Sequence, residues 1–155
     1  MYKQVMPIRP ATEADLPKVC ALIAGSVQKN ASEDGPTDLA FVVSKYDLAR
    51  LLECLHDHEM FCFEQDSQLK GVVILAGDRL HSLYVAIDAM GRGIGRQLLT
   101  HIENLARERG VKTIFVSSSR TGVPFYERLG YAKLNFEPRK LAPTWAMAKI
   151  LTAAS

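Results

Sequence analysis

Residues 80–110 read LHSLYVAIDAMGRGIGRQLLTHIENLARERG. The stretch opens as an apolar run, passes through glycines at alternate positions and continues as an amphipathic helix. The glycines are Gly91, Gly93 and Gly95, with Arg92 and Arg96 threaded among them. Ile94, Leu98, Ile102 and Leu105 then recur at helical spacing, the stripe of a helix lying on a sheet. Gly110 suits the C-cap. The apolar run KTIFVSS follows at residues 112–118. Strand, helix and strand in this order imply a right-handed crossover and a parallel pair.

Glycines at a strand-to-helix turn suggest a phosphate cradle, so the known spacings can be tested. A Walker loop needs Lys and then Ser or Thr after its last glycine. Here Gly95 is followed by Arg96 and Gln97. A dinucleotide fingerprint needs GxGxxG at the first strand of a βαβ unit. Here the spacing is GxGxG, and earlier strands precede it. Both readings fail, but their physical core stands. Glycine lets the backbone approach a ligand closely, and a helix N-terminus offers unpaired N–H groups.

Upstream, EMFCFEQ alternates, with Phe61 and Phe63 facing one way and Met60 and Cys62 the other. DSQ reads as a turn. LKGVVILAG is a continuous apolar strand buried on both faces. With LHSLYVAI these make an antiparallel meander. Nearer the N-terminus, VMPIR suggests a short strand, and Thr12 with Asp15 an approximate capping box. Leu16, Val19, Cys20, Ile23 and Val27 give a first helix. NASEDGPTD is a polar loop. A second helix is expected from about Asp38 to His56, with Leu48, Leu51, Leu52 and Leu55 as its stripe. Downstream, VPFYERLG predicts a short helix, and YAKLNF and WAMAKIL two last strands around EPRKLAPT. The fold class expected is α/β, a mixed, mostly antiparallel sheet with one parallel strand pair and flanking helices.

Composition narrows the function. The 155 residues suit one domain spanning 1–155, 48% hydrophobic and 23% charged. A net charge of +2 gives no reason to expect nucleic-acid or membrane-surface binding. No apolar run reaches the ~20 residues of a membrane span. The start lacks an apolar secretory core, so a cytoplasmic protein is expected. Cys20, Cys54 and Cys62 are too few and too scattered for a disulfide framework. His56 and His58 form an HxH with no matching ligand cluster, so no metal is expected.

Taken together, LHSLYVAIDAMGRGIGRQLLTHIENLARERG resembles the acyl-CoA binding motif of the GNAT superfamily of N-acetyltransferases. That motif is a strand ending like L-x-V and then a Q/R-x-x-G-x-G/A turn. Gly93 and Gly95 match, and Met90 stands where Gln or Arg is usual. IRPATEADLPKVCALI resembles the family's first strand and helix. SRTGVPFYERLGYAKL resembles its S-x-x-A-x-x-F-Y-x-x-x-G-F motif, through Ser119, Phe125, Tyr126, Gly130 and Tyr131. Gly122 replaces the usual alanine. WAMAKIL is similar to the last strand.

The resemblance implies transfer of an acetyl group from acetyl-CoA to a primary amine of a small molecule or peptide. Backbone N–H groups from Gly91 through Arg92, Gly93, Ile94 and Gly95 to Arg96 would cradle the CoA phosphates. The edge formed by Leu83, Tyr84 and Val85 would pair with the pantetheine amides. An N–H near Leu83 would receive the oxyanion. Tyr126 would protonate the thiolate, since a phenol of pKa about 10 is protonated near neutrality. On helix logic Phe125 and Leu129 face the core and turn Tyr126 towards the cleft.

LHSLYVAI has no Glu to serve as base. His81, in alternation with Leu83 and Val85, is the catalytic candidate or else a strand-end surface histidine. Ser119 would touch pantetheine or cap the short helix. Arg92 and Arg96 either contact phosphates or are solvated. Cys62 reads as a core cysteine, so direct transfer is expected rather than an acetyl-enzyme.

For the acceptor, Glu33, Asp34 and Asp38 would attract a cation, whereas EPRKLAPTW is basic. A non-catalytic acyl-CoA binding or sensing module is the alternative. The late strand pair is able to join a partner's sheet, so a homodimer is plausible.

Overall fold

The computed structural model describes residues 7–30, 46–138 and 144–152. Strand β1 (Ile8–Pro10) leads through a 3-10 turn (Glu13–Asp15) into α1 (Leu16–Asn30). Then come α2 (Leu48–Asp57) and the meander β2 (Glu59–Gln65), β3 (Gln68–Ala76) and β4 (Arg79–Val85). A 3-10 turn (Ile87–Ala89) opens onto α3 (Ile94–Glu108) and β5 (Thr113–Ser118). The described chain closes with α4 (Val123–Arg128), β6 (Ala132–Glu137) and β7 (Thr144–Ile150).

The strands form one sheet of seven in the order β1-β2-β3-β4-β5-β7-β6. Among the described residues only β4 and β5 pair in parallel. This is the mixed sheet the sequence implies. The DSQ turn holds because Asp66 and Ser67 both take positive φ, at 54° and 61°, the twist a two-residue hairpin needs.

Each face of the sheet carries its own core. On one side α3 lays Ile94, Leu98 and Ile102 on Val73, Leu75 and Phe63. On the other, α1 and α2 lay Val19, Ile23 and Leu51 on Met60, Cys62, Val72 and Ile74. The alternation in β2 and the double burial of β3 are therefore as expected. Each such aliphatic side chain adds ~1.5–3 kcal/mol by burial.

Three expectations need correction. Of the helix expected from Asp38 to His56, residues 38–45 lie outside the described residues, and the described helix starts at Leu48, because Asp47 is its extended N-cap and accepts the Arg50 N–H at 2.8 Å. Of the expected stripe only Leu51 is fully buried, while Leu48 and Leu52 are exposed, since this helix meets α1 and β2 along one narrow line. The strand LHSLYVAI ends at Val85, and Ile87 belongs to the 3-10 turn. Val5, Met6, Glu33, Asp34, Asp38 and the centre of EPRKLAPT lie outside the described residues.

The capping box is present and larger than expected. The Asp15 carboxylate accepts the Thr12 N–H at 2.8 Å and both Arg9 Nη atoms at 2.8 Å. The Arg9 bonds pull Asp15 down from 3.8 to about 2, against a burial cost acting the other way. A carboxyl depressed in the folded state stabilises the fold above its ordinary value and loses that contribution as pH falls towards 2. Asp15→Asn should therefore lower unfolding free energy by about 1–2 kcal/mol at pH 7. The difference should vanish as both proteins approach pH 2 in urea titrations.

Candidate active site

The parallel pairing of β4 with β5 is brief. It comprises Arg79 with Phe115 and Leu80 with Val116. Beyond Leu80, β4 stays paired with β3 as far as Gly71 with Val85, and β5 stays paired with β7 as far as Ser118 with Trp145. The two central strands therefore part. The Ala86 N–H points to β3, donating to Lys70 O at 2.8 Å. Strand alternation then turns the main-chain groups of Val85 and Leu83 away from β3 and into the gap. Tyr84 between them is directed back to β3. The side chains of Leu83 and Val85 pack on the α3 core, so backbone and side chain serve different purposes.

At the wide end of the gap lies the glycine turn. Lys70 Nζ holds Asp88 at 2.9 Å, and Lys29 Nζ meets Met90 Sδ at 3.7 Å. The backbone then takes positive φ at Gly91 (79°) and Gly93 (82°). Both sites are open, with nothing within 4 Å of an added Cβ, so conformation and not space requires glycine. The first helical bond is Gln97 N–H to Gly93 O at 3.0 Å. Among the described residues, no main-chain N–H from Gly91 to Arg96 has a main-chain acceptor. This is an anion nest at a helix N-terminus. Arg92 and Arg96 are exposed beside it. Gly95 is present for another reason, since an added Cβ would lie 3.3 Å from the Phe125 ring.

The short helix α4 carries the motif SRTGVPFYERLG across from β4. Here the sequence reading is corrected, because Tyr126 and Val123 are buried, while Phe125 and Leu129 are only partly buried. A six-residue helix has one buried edge, and Val123 with Tyr126 form it one turn apart. The Tyr126 ring lies edge-on between Phe125 and Tyr131, with centroids at 5.1 and 5.5 Å. Burial, then the neighbouring Tyr46, pushes its phenol well above the usual range. Ser119 accepts the Gly122 and Val123 N–H groups through its carbonyl, while its hydroxyl sits 3.3 Å from Thr121 Oγ1. The hydroxyl does not cap the helix. Gly122 replaces alanine because Ser118 Oγ would lie 2.6 Å from an added Cβ.

At His81 only the expected alternation is corrected, while its exposure fits the strand-end surface histidine. Leu75 pairs with Leu80 and Ile74 with Ser82, so His81 is the extra residue of a β-bulge. The bulge breaks the alternation with Leu83 and Val85. His81 instead shares the α1 side with Ser82: its Nδ1 lies 2.8 Å from Ser82 Oγ, and its ring centroid is 5.6 Å from that of His58. Ser82 is buried and also meets Tyr46 Oη at 3.0 Å. Tyr84 donates to Tyr46 at 3.4 Å, with the two rings at 5.5 Å. Sequence reasoning missed Tyr46 and Ser82. A serine in an apolar strand was the one available signal, whereas nothing local marks Tyr46.

Cys62 is fully buried, and desolvation pushes its thiol up to about 12, so it is no nucleophile at neutral pH. Among the described residues no group of three His, Cys, Asp or Glu could hold a metal ion. No helix among them is long and apolar enough to cross a membrane.

Comparison with known proteins gives a consistent result. Residues 27–141 match the family model described as an acetyltransferase (GNAT) domain. A GCN5-related N-acetyltransferase from Rhodopseudomonas palustris superposes with a TM-score of 0.88 at 23% identity, covering 97% of this chain and 99% of that one. The PaiA N-acetyltransferase from Thermoplasma acidophilum, solved in complex with coenzyme A, gives 0.81 at 19% identity, covering 95% and 99%. A ribosomal-protein-alanine N-acetyltransferase from Brucella melitensis gives 0.69 at 25% identity, covering 93% and 99%. No curated protein matches in sequence.

If the nest binds anions through its main chain, Met90→Gln should leave acetyl-CoA affinity within about 3-fold, under ~1 kcal/mol. Isothermal titration measures this. A tenfold gain would reveal a side-chain contact that this chain lacks.

Proposed function

The chain belongs to the acetyltransferase (GNAT) family, and we propose that it moves the acetyl group of acetyl-CoA directly onto a primary amine of a small molecule or peptide, within a ternary complex. The parted β4–β5 pair carries this reading. It leaves a strand edge near the glycine turn, and this reading brings the protonated Tyr126 phenol to the same gap.

The N–H groups from Gly91 to Arg96 would take the pyrophosphate, with Arg92 and Arg96 adding positive charge. The pantetheine arm is a chain of amides, and it would pair with Leu83 and Val85 as a strand would. Phe125 and Ser119 would border the arm on the α4 side. The thioester carbonyl then comes to rest near the Leu83 N–H. That donor would stabilise the oxyanion formed when the amine attacks.

As the tetrahedral intermediate collapses, the C–S bond breaks and its electrons go to sulfur. Tyr126 would donate the proton. A phenol is protonated at neutral pH, which is the state a donor needs, and burial raises the cost of giving up that proton. Burial of Cys62 and its raised thiol favour direct transfer over an acetyl-enzyme.

The test is CoA release from acetyl-CoA with a panel of primary amines, including alkylamines, polyamines and an alanyl peptide. Tyr126→Phe keeps the ring and removes the donor. It should lower kcat by about 10²–10⁴-fold with acetyl-CoA affinity unchanged. An unchanged kcat would remove Tyr126 from the mechanism. Acetyl-CoA binding with no turnover across the panel would favour a binding module.

A further inference from the structure

We propose that Tyr46, Ser82 and His81 form a proton relay that deprotonates the incoming ammonium and delivers its proton to solvent. The proposal rests on the acetyl-transfer reading above, and it supplies the base which that reading leaves open.

The geometry has a direction. Tyr84 donates to Tyr46 Oη at 3.4 Å. Tyr46 Oη and Ser82 Oγ are 3.0 Å apart. Ser82 Oγ and His81 Nδ1 are 2.8 Å apart. Ser82 has one proton, and a neutral imidazole has one bare nitrogen. If Nδ1 is bare, Ser82 donates to it and accepts from Tyr46, so every hydroxyl points towards His81. Ser82 is only 5% exposed, whereas His81 is exposed to solvent. The chain thus runs from the interior to water. The bulge at His81 creates it, because only the extra residue puts His81 and Ser82 on one side of the sheet.

The inner end lies beside the gap. Ser82 adjoins Leu83 on the stretch of β4 that has already left β5, and Tyr46 Oη lies 3.0 Å from Ser82 Oγ. Acid and relay therefore approach the reaction centre from opposite faces of the sheet. In the step itself, an ammonium proton passes to Tyr46 Oη as the Tyr46 proton moves to Ser82 Oγ. The Ser82 proton moves to His81 Nδ1. The amine becomes neutral, His81 becomes imidazolium, and both hydroxyls are regenerated. The imidazolium then returns a proton to water.

Among the described residues, these groups face His81. His58 approaches from the end of α2. Across the bulge β3 presents Ile74 and Leu75, and β5 presents Phe115 and Val116 beside Arg79 and Leu80. Arg79, along the strand, is directed to Ser117 at 3.4 Å.

The test compares two acceptors, n-butylamine and an alanyl tripeptide, whose amines ionise near ~10.4 and ~8 by analogy with lysine and a chain N-terminus. In the wild type, the acid limb of kcat should fall at one pH for both amines, set by His81. In Tyr46→Phe, Ser82→Ala and His81→Gln it should move up and differ between the two amines. At pH 7 the loss for butylamine should be on the order of 10²-fold or more, shrinking to a few-fold at pH 10. A second readout needs no acceptor. The ¹⁵N shifts of His81 should report a bare Nδ1 in the wild type, and Ser82→Ala should erase that preference. A wild-type limb that follows each amine overturns the relay, as does a limb moved by His81→Gln but not by Tyr46→Phe. Absence of wild-type turnover with every amine overturns the acetyl-transfer reading itself, and the relay with it. Urea midpoints of the variants separate loss of fold from loss of relay.

Discussion

Two strands in the middle of the sheet stop bonding to each other after two residue pairs, and the site is built around that parting. A buried main-chain N–H or C=O without a partner costs about as much as a lost hydrogen bond. The fold accepts that cost at Leu83 and Val85 because the strands remain anchored elsewhere. β4 is tied to β3 along most of its length, and β5 to β7. Each central strand thus keeps one full ladder and exposes the other edge. A peptide-like ligand arm is the natural complement of such an edge.

The parting also joins two cores that the sheet would otherwise separate. Tyr126 belongs to the α3 side and Tyr46 to the α1 side. Through an unbroken sheet their phenols would not sense each other. Here burial first, and Tyr46 after it, raises the Tyr126 phenol above its ordinary value. A cofactor bound on one side and an acceptor on the other would meet at this opening, with a proton donor from one layer and a relay from the other. The β-bulge at His81 adds the local twist and re-aims one side chain, which is a common use of a bulge beside a site.

Much of the fold was legible because its signals are local. The four-four-three stripe of α3, the alternation of β2 and the apolar block of β3 each follow from a period. The glycine turn was legible too, since positive φ at Gly91 and Gly93 is a property of those residues and their neighbours. The expected helix does not run unbroken through residues 46–47, because Asp47 is an N-cap there. Tyr126 was misdirected because six residues are too few for helical spacing to say which edge is buried.

The sequence by itself determined the strand order of the meander, the crossover and the glycine nest, because hydrophobic period, turn chemistry and glycine conformation act over a few residues. It also carried the candidate residues Tyr126 and His81. Only the tertiary structure decided their placement. One extra residue in β4 moves His81 across the sheet, and no period in LHSLYVAI encodes it, because a bulge is a mismatch between two strands. Tyr46 lies 36 positions before Ser82, and their contact exists only once α1, α2 and the sheet have packed. Long-range pairings of this kind depend on the sum of both cores, and no short stretch of chain specifies them.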